Sequence, residues 1–383
     1  MLSASGFQIA GVVVGWKVYA DTGSAYALGL IGLAQFLPML LLTFLVGHVA
    51  DAFDRRRIVM ACQAVEAATL VALAAGILGG FLGVTGIFAA VVVLGAARAF
   101  EAPTLTSVLP GVVPAALLPR ATAASSSAMQ SATILAPSLA GLLYAIGPGL
   151  AFGVGAACYC GACLAMSLIR LERATQRRSP ATLQSVFSGV GFIWSRKIIL
   201  GAISLDMFAV LLGGVTALLP IFAQDILHTG PWGLGLLRSM PAVGAVAMSV
   251  TLARADLQPG VGRKMFAAVI VFGAATVAFA ASAHLALSCL ALVAMGAADN
   301  VSVVVRNSLV QLQTPDEMRG RVNSVNALFI GTSNQLGEFE AGMVAGLIGA
   351  VPAGMVGGLC TIAVALLWMR LFPALRRAER FVE

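Results

Sequence analysis

The chain has 383 residues, of which 60% are hydrophobic and only 10% are charged, and its mean hydropathy is +0.97. Since soluble domains carry roughly 25% charged residues, this composition excludes a soluble enzyme. It also excludes an intrinsically disordered chain, which would be polar and charged. A bilayer core needs roughly 20 apolar residues per helix, so about twelve spans would leave only short loops. We therefore expect an all-α membrane protein without room for a nucleotide-binding domain.

Apolar stretches that could each cross a membrane follow one another along the whole chain. They are continuous rather than alternating, which favours helices over the strands of a β-barrel. In chain order they lie near residues 3–20, 26–47, 58–80, 85–108, 121–147, 150–169, 198–226, 232–253, 264–282, 285–310, 322–349 and 352–372. The prediction is a bundle of twelve transmembrane helices.

The basic residues, which give a net charge of +7, concentrate in every second connection and in the tail. Arg55, Arg56 and Arg57 follow the second stretch, and Arg376, Arg377 and Arg380 end the chain. By the positive-inside rule both termini are cytoplasmic. We expect a multi-pass protein of a bacterial inner (plasma) membrane that works as a monomer in the lipid bilayer. No basic face on a soluble surface is available for nucleic acid.

An internal repeat relates the two halves of the chain at an offset of 201 residues. Pro114 corresponds to Pro315, and Arg120 corresponds to Arg321. The predicted organisation is an N-terminal six-helix bundle (1–169), a cytoplasmic linker (170–197), a C-terminal six-helix bundle (198–372) and a cytoplasmic tail (373–383). Parallel repeats around an axis along the membrane normal are typical of transporters that rock around a midplane site. Alignment of the first helix with the seventh also implies that the first helix should begin about ten residues before Met1.

A charged motif lies between the second and third stretches. It reads Gly47-His48-Val49-Ala50-Asp51-Ala52-Phe53-Asp54-Arg55-Arg56-Arg57. It resembles the G-x-x-x-D-x-x-D/G-R-R-K/R signature of the major facilitator superfamily, which implies a cytoplasmic gate formed by Gly47, Asp51, Asp54, Arg55, Arg56 and Arg57. A glycine permits close helix approach, and an aspartate can accept hydrogen bonds from an arginine or a helix N-terminus. A positive-inside cluster alone would explain the arginines but not the Gly-to-Asp spacing.

Motifs in the second half narrow the resemblance. Gly296-Ala297-Ala298-Asp299-Asn300, Thr314-Pro315-Asp316-Glu317-Met318-Arg319-Gly320-Arg321 and Leu336-Gly337-Glu338-Phe339-Glu340 are similar to those of enterobactin exporters and related drug-efflux permeases. The resemblance implies two pseudo-symmetric bundles and export of a siderophore or an amphipathic small molecule by proton antiport, driven by the proton gradient and without a cofactor. An importer of a small organic solute and a membrane receptor or enzyme are the alternatives. A membrane receptor or enzyme would need a clustered nucleophile and base or a large extramembrane domain, and the sequence shows neither.

The fifth stretch carries a sequence similar to the Gly-Pro-x-x-Gly-Gly motif of antiporters. It reads Ala136-Pro137-Ser138-Leu139-Ala140-Gly141, with alanine in place of two glycines. The resemblance implies a helix kink at Pro137 and Gly141.

Ionisable residues at membrane depth are costly and usually face a cavity or a partner. Arg98 and Glu101 are spaced to meet on one helix face. Asp299 is the repeat partner of Arg98 at the offset of 201. We predict a charge network of Arg98, Glu101 and Asp299 that substrate or proton binding rearranges; a static pair that only fixes packing is the alternative.

Four further carboxylates lie in apolar stretches. Glu338 and Glu340 point to different helix faces, and we favour Glu338 for the cavity because it corresponds to Pro137 in the repeat. Asp206 is a secondary candidate for proton coupling, whereas Glu66, on a third helix, is expected to be structural. The Cys158, Cys160 and Cys163 side chains scatter around their helix, so no metal site is predicted.

Overall fold

The computed structural model describes residues 1–169, 183–254 and 258–381, apart from the side chains of residues 43, 44, 47, 48, 50–52, 115, 119, 183–187 and 316. The helices are α1 (Leu2–Thr22), α2 (Ala25–Ala52), α3 (Arg55–Leu78), α4 (Val84–Val112), α5 (Leu118–Ile146), α6 (Pro148–Leu168), α7 (Leu183–Ser195), α8 (Lys197–Leu212), α9 (Leu219–Ile221), α10 (Gly230–Leu252), α11 (Val261–Ala280), α12 (Leu285–Gln313), α13 (Asp316–Ile348), α14 (Ala350–Leu371) and α15 (Pro373–Arg377). No strand occurs in the described residues.

Long apolar helices account for nearly all of this structure. Ten helical segments among the described residues are long and apolar enough to cross a membrane, including the interrupted segment Lys197–Ile226. The remaining long helices, α1 and α13, have 21 and 33 residues. These segments coincide with the twelve predicted stretches, and the all-α membrane fold is confirmed.

Local chemistry explains where the first helices begin and end. Gly23 ends α1 in the left-handed conformation (φ 58°), which glycine adopts without steric cost. The side chain of Ser24 then accepts a hydrogen bond from the backbone of Ala27 at the start of α2. Asp54 caps α3 in the same way by accepting from the Arg56 amide. These caps satisfy amides that have no partner inside the helix.

The region predicted as a linker contains a helix. α7 occupies residues Leu183–Ser195 within the predicted linker 170–197, whereas residues 170–182 lie outside the described part of the chain.

The chain divides into two compact units. Unit 1 contains Met1–Pro180 and His228–Ser239, and unit 2 contains Ala181–Leu227 and Met240–Glu383. The boundary therefore falls inside α10, whose first part belongs to unit 1.

Unit 1 is built around α1, which packs on α5 and α6, and α3, which packs on α4 and α6. Leu70, Ile87, Phe152 and Tyr159 are among its fully buried side chains. In unit 2, α11 packs on α12 and α14, and α13 packs on α8. A hydrophobic core joins α8, α11, α12 and α14 through residues that include Leu205, Phe266, Val305, Leu309 and Ala365.

The segment predicted as a cytoplasmic tail packs against the rest of unit 2. The amides of Gly260 and Gly262 donate hydrogen bonds of 3.0 Å to the carbonyls of Glu379 and Ala378. The Leu375 side chain is completely buried in the core. The C-terminal segment thereby covers the start of α11 through backbone pairing and apolar burial.

We expect Gly262→Ala to destabilise unit 2. A Cβ atom at this position would overlap the carbonyl oxygen of Leu375, and overpacking of this kind costs about 1–3 kcal/mol. The measurement is the unfolding temperature of the purified protein in detergent, which should fall by several degrees. Gly320→Ala is the matched control, because no atom lies within 4 Å of a Cβ there. Equal unfolding temperatures for the two variants would contradict the close contact.

Candidate functional site

A buried carboxylate on α4 gathers side chains from three helices of unit 1. Glu101 has no exposed surface, and one of its oxygens lies 2.5 Å from Nη1 of Arg98. The other oxygen accepts hydrogen bonds from the hydroxyl of Ser3 on α1 and, at 3.1 Å, from the amide of Gln63 on α3. The Arg98 guanidinium also lies 4.7 Å from the centre of the Phe7 ring. Charge pairing and hydrogen bonds thus make this carboxylate tolerable inside the protein.

A second carboxyl group lies near this network and has no hydrogen-bond partner among the described residues. Glu66 follows Gln63 by one helical turn on α3, and only 1% of its surface is exposed. Both of its oxygens are enclosed, and neither makes a hydrogen bond to the described residues. Burial without a partner is much less costly for a neutral acid than for a carboxylate. This arrangement makes Glu66 a stronger candidate for carrying a proton than its position on a third helix suggests.

Unit 2 contains a corresponding buried ion pair between α8 and α12. Asp206 and Arg306 bind each other directly and are both almost completely buried. The Ser302 hydroxyl donates a further hydrogen bond of 3.3 Å to Asp206. The predicted candidate Asp206 is therefore held by a tightly enclosed arginine.

Asp299 lies close to this pair. It lines a small cavity of unit 2 together with Asp206, Ala209, Val210, Val269, Phe272, Ala298 and Ser302. Asp299 makes no hydrogen bond or ion pair to the residues that the structure describes. Since Arg98 and Glu101 belong to unit 1, the network that would join them to Asp299 stays a prediction.

The gate motif lies at the turn between α2 and α3. Gly47 lies in α2, and the side chain of Asp51 on the same helix is outside the described part of the structure. Asp54 caps α3, Arg55 donates to the carbonyl of Ser107 at 3.4 Å, and Arg56 donates to the carbonyl of Ser167. These two arginines thus tie the start of α3 to the ends of α4 and α6, where cations are favoured by the helix dipole. Arg57 is exposed, and a gating role of the motif stays a prediction.

Pro137 and Gly141 form a close packing surface on α5. The helix continues through Pro137, and a Cβ atom at Gly141 would overlap the carbonyl oxygen of Pro231. A Cβ atom at Gly235 would lie 2.5 Å from the carbonyl oxygen of Pro137. Ser138 and Ser239 hydrogen bond beside this contact at 2.8 Å. The structure therefore gives the motif a role in close contact between α5 and the first part of α10; the predicted kink is not tested by it.

The two glutamates of α13 occupy different surroundings. Both are half-buried, but Glu340 lines a cavity of unit 2, whereas Glu338 lines neither that cavity nor the one beside Asp299. The choice of Glu338 as the coupling residue stays a prediction.

Several residues of these networks were missed in the sequence. Arg306 and Arg238 are charged residues within apolar stretches, so the signal that identified Arg98 would also have found them. Arg238 on α10 donates to the carbonyl of Gly11 on α1 at 3.3 Å. Ser3 and Gln63 carry no comparable signal, because single polar residues are common in membrane helices.

We expect Asp206→Asn to destabilise unit 2 strongly. The substitution leaves the Arg306 charge buried without its counter-charge, and breaking such a pair costs about 3–5 kcal/mol. The double variant Asp206→Asn/Arg306→Met should recover part of the loss, because the unpaired charge is removed. The measurement is unfolding of the purified variants in detergent.

Glu379→Gln is the control for this pair. It breaks the ion pair with Arg263, whose 3.9 Å separation and exposed side chains predict a change below about 1 kcal/mol. Equal losses for Asp206→Asn and Glu379→Gln would show that burial of the first pair has no energetic consequence.

Comparisons with known proteins agree with this fold. The chain is 26% identical to the multidrug efflux pump Tap of Mycobacterium tuberculosis (strain ATCC 25618 / H37Rv), covering 99% of this chain and 93% of that protein. It is 25% identical to the enterobactin exporter EntS of Citrobacter koseri, over 98% of this chain and 90% of the exporter. Its structure is similar to that of the nucleoside transporter NupG, with a TM-score of 0.71 at 14% identity over 97% of this chain and 97% of NupG.

A family model described as "Transmembrane secretion effector" matches residues 1–380. The motif at residues 47–57, the helical architecture and this match over nearly the entire length agree with one another. The chain belongs to this family of the major facilitator superfamily and is a multi-pass membrane transporter.

Proposed function

We propose that the chain is a bacterial secondary transporter that exports an amphipathic small molecule or a siderophore in exchange for protons. The named activities of Tap and EntS support the direction and the class of substrate. The proposal places the protein in the inner membrane with both termini in the cytoplasm, as a monomer that uses no cofactor and catalyses no reaction.

The observation that carries the proton part is the cluster around Glu101. It combines a carboxylate whose charge is compensated by Arg98 with a second carboxyl group, on Glu66, that has no hydrogen-bond partner in the described part of the chain. A proton that enters the cluster can neutralise Glu101 and release Arg98 from its partner. Release of this partly buried cation changes the charge available to a substrate, which is what coupling of two binding events requires.

Unit 2 contributes a second place where charge can change. Asp299 lines a cavity with no partner among the described residues, while Arg306 already compensates Asp206. We therefore assign proton exchange in this unit to Asp299 and a positioning role to Asp206. The gate motif would then control access from the cytoplasmic side.

We expect Glu101→Gln to reduce proton-driven efflux by roughly tenfold, a typical size for coupling between two sites. Glutamine keeps the shape of Glu101 and an oxygen that can accept from Ser3 and Gln63, but it loses the charged contact with Arg98 and cannot exchange a proton. Asp299→Asn should have the same direction of effect. The measurement is uptake of dyes, drugs and siderophores into inverted vesicles, with and without a proton gradient.

Glu317→Gln serves as the control, since Glu317 is exposed at the start of α13. If Glu101→Gln and Asp299→Asn both leave proton-driven transport intact, coupling through these carboxylates is wrong. Movement of every compound without a gradient would overturn the antiporter proposal. Accumulation of substrate only in right-side-out vesicles would favour an importer instead.

A further inference from the structure

The seventh membrane segment is interrupted within unit 2. α8 ends at Leu212, and a short 3₁₀ turn, Val215–Leu218, follows two glycines. The amide of Val215 donates to the carbonyl of Gly213 at 2.7 Å. In a continuous α-helix it would donate to the carbonyl of Leu211. Irregular backbone at membrane depth is tolerated only where protein encloses it or where it lines a cavity.

Glycines of two neighbouring helices lie against this interruption. A Cβ atom at Gly337 of α13 would lie 2.9 Å from the carbonyl oxygen of Val210 and 3.0 Å from that of Leu211. A Cβ atom at Gly357 of α14 would lie 2.5 Å from the carbonyl oxygen of Leu212. The bare backbones of α13 and α14 thus enclose the interrupted end of α8.

A small cavity opens where these elements meet. Its lining includes Leu212, Gly213 and Gly214 from the interruption, Thr276 of α11, Glu340 of α13 and Cys360 of α14. Its volume is about 30 Å³. One water molecule needs about 10–15 Å³ of such space, so the cavity suits an atom-sized guest and excludes a drug-sized one.

The polar groups that face this cavity are suited to accept rather than to donate. Glu340 carries the only charged side chain in the described lining, and it makes no hydrogen bond or ion pair to the described residues. The Thr276 hydroxyl donates its hydrogen to the carbonyl of Phe272 at 2.9 Å, which leaves its oxygen lone pairs for a ligand. Glu340 and Thr276 line the same otherwise apolar cavity, and a carboxylate without a counter-charge among the described residues favours binding of a small cation there.

We propose that this cavity is a binding site for a small monovalent cation, Na⁺ or hydronium, held by Glu340 and the oxygen of Thr276 at the interruption of α8. A divalent ion is disfavoured because the described lining holds a single carboxylate, which would leave one of the two charges of Mg²⁺ or Ca²⁺ uncompensated. Binding neutralises Glu340 and links α13 to α11 and the end of α8. The site shares no residue with the Glu101 cluster, and cation binding does not depend on the proposed export function.

The test uses the purified full-length protein in detergent. Binding of ²²Na⁺ is measured at pH 8, with choline replacing Na⁺ at constant ionic strength, for wild type, Glu340→Gln, Thr276→Val and the control Glu317→Gln. For a sodium site, wild type and Glu317→Gln bind saturably. Glu340→Gln should bind roughly tenfold more weakly or worse, because a charged ligand is lost. Thr276→Val, which keeps the side-chain volume, should weaken binding severalfold.

A second measurement tests whether a proton, held as hydronium or on the Glu340 carboxyl group, occupies the same site. If wild type binds no ²²Na⁺, a jump from pH 8 to pH 5 should cause wild type to take up about one more proton per chain than Glu340→Gln. Cys360 is the other titratable side chain in the described cavity lining, and Cys360→Ser should leave this difference unchanged. If wild type binds no ²²Na⁺ and takes up the same number of protons as Glu340→Gln, the proposal is overturned. The proposal is also overturned if Glu340→Gln binds ²²Na⁺ as tightly as wild type does.

Two further outcomes keep the site and the transport proposal separate. If Glu340→Gln fails to fold, Thr276→Val tests the site in the same assay. Binding of ²²Na⁺ by Thr276→Val as tight as that of wild type then overturns the proposal. Loss of binding in the variants together with absence of efflux in wild-type vesicles would support the cation site and contradict the export function alone.

Discussion

The structure depends above all on the cost of placing ionised groups inside a membrane protein. An isolated ion in a medium of low dielectric constant is very unfavourable, so its position is restricted to places where partners or a cavity exist. Glu101 meets this constraint through Arg98, Ser3 and Gln63, and Asp206 meets it through Arg306 and Ser302. In each unit these contacts join the first membrane segment of that half to the fourth. The charged side chains thereby act as structural links as well as candidates for coupling.

The two halves satisfy this constraint with exchanged roles. In unit 1 a serine on α1 donates to a carboxylate on α4, whereas in unit 2 a serine on α12 donates to a carboxylate on α8. The sequence repeat relates Glu101 to Ser302 at the same offset of 201 that relates the proline and arginine pairs. The two halves therefore share the position of this polar contact on the fourth helix, whereas Ser3 and Asp206 on the first helices do not correspond at this offset.

Close backbone contact is the second recurring element. Gly141 and Gly235 bring α5 against the first part of α10, and Gly337 brings α13 against the end of α8. Without side chains between them, helices gain dispersion contacts that replace the missing hydrophobic driving force inside a bilayer. In unit 2 the same contacts enclose the interruption of α8 and leave the cavity beside Glu340. The glycine on α13 therefore affects the shape of the proposed ion site as well as the packing of the helices.

Composition and pattern determined the fold class of this protein, because a chain with 10% charged residues and continuous apolar stretches has no stable alternative to membrane helices. The i,i+3 spacing also predicted the contact between Arg98 and Glu101, since helix geometry alone decides it. The partners of Asp206 and the isolation of Glu66 depend on which helices are neighbours, and long-range packing decides that. The docking of residues 373–381 and the cavity at Glu340 arise from backbone contacts between distant segments. Only the tertiary structure could show them, because no local pattern records where a carbonyl of one helix meets a glycine of another.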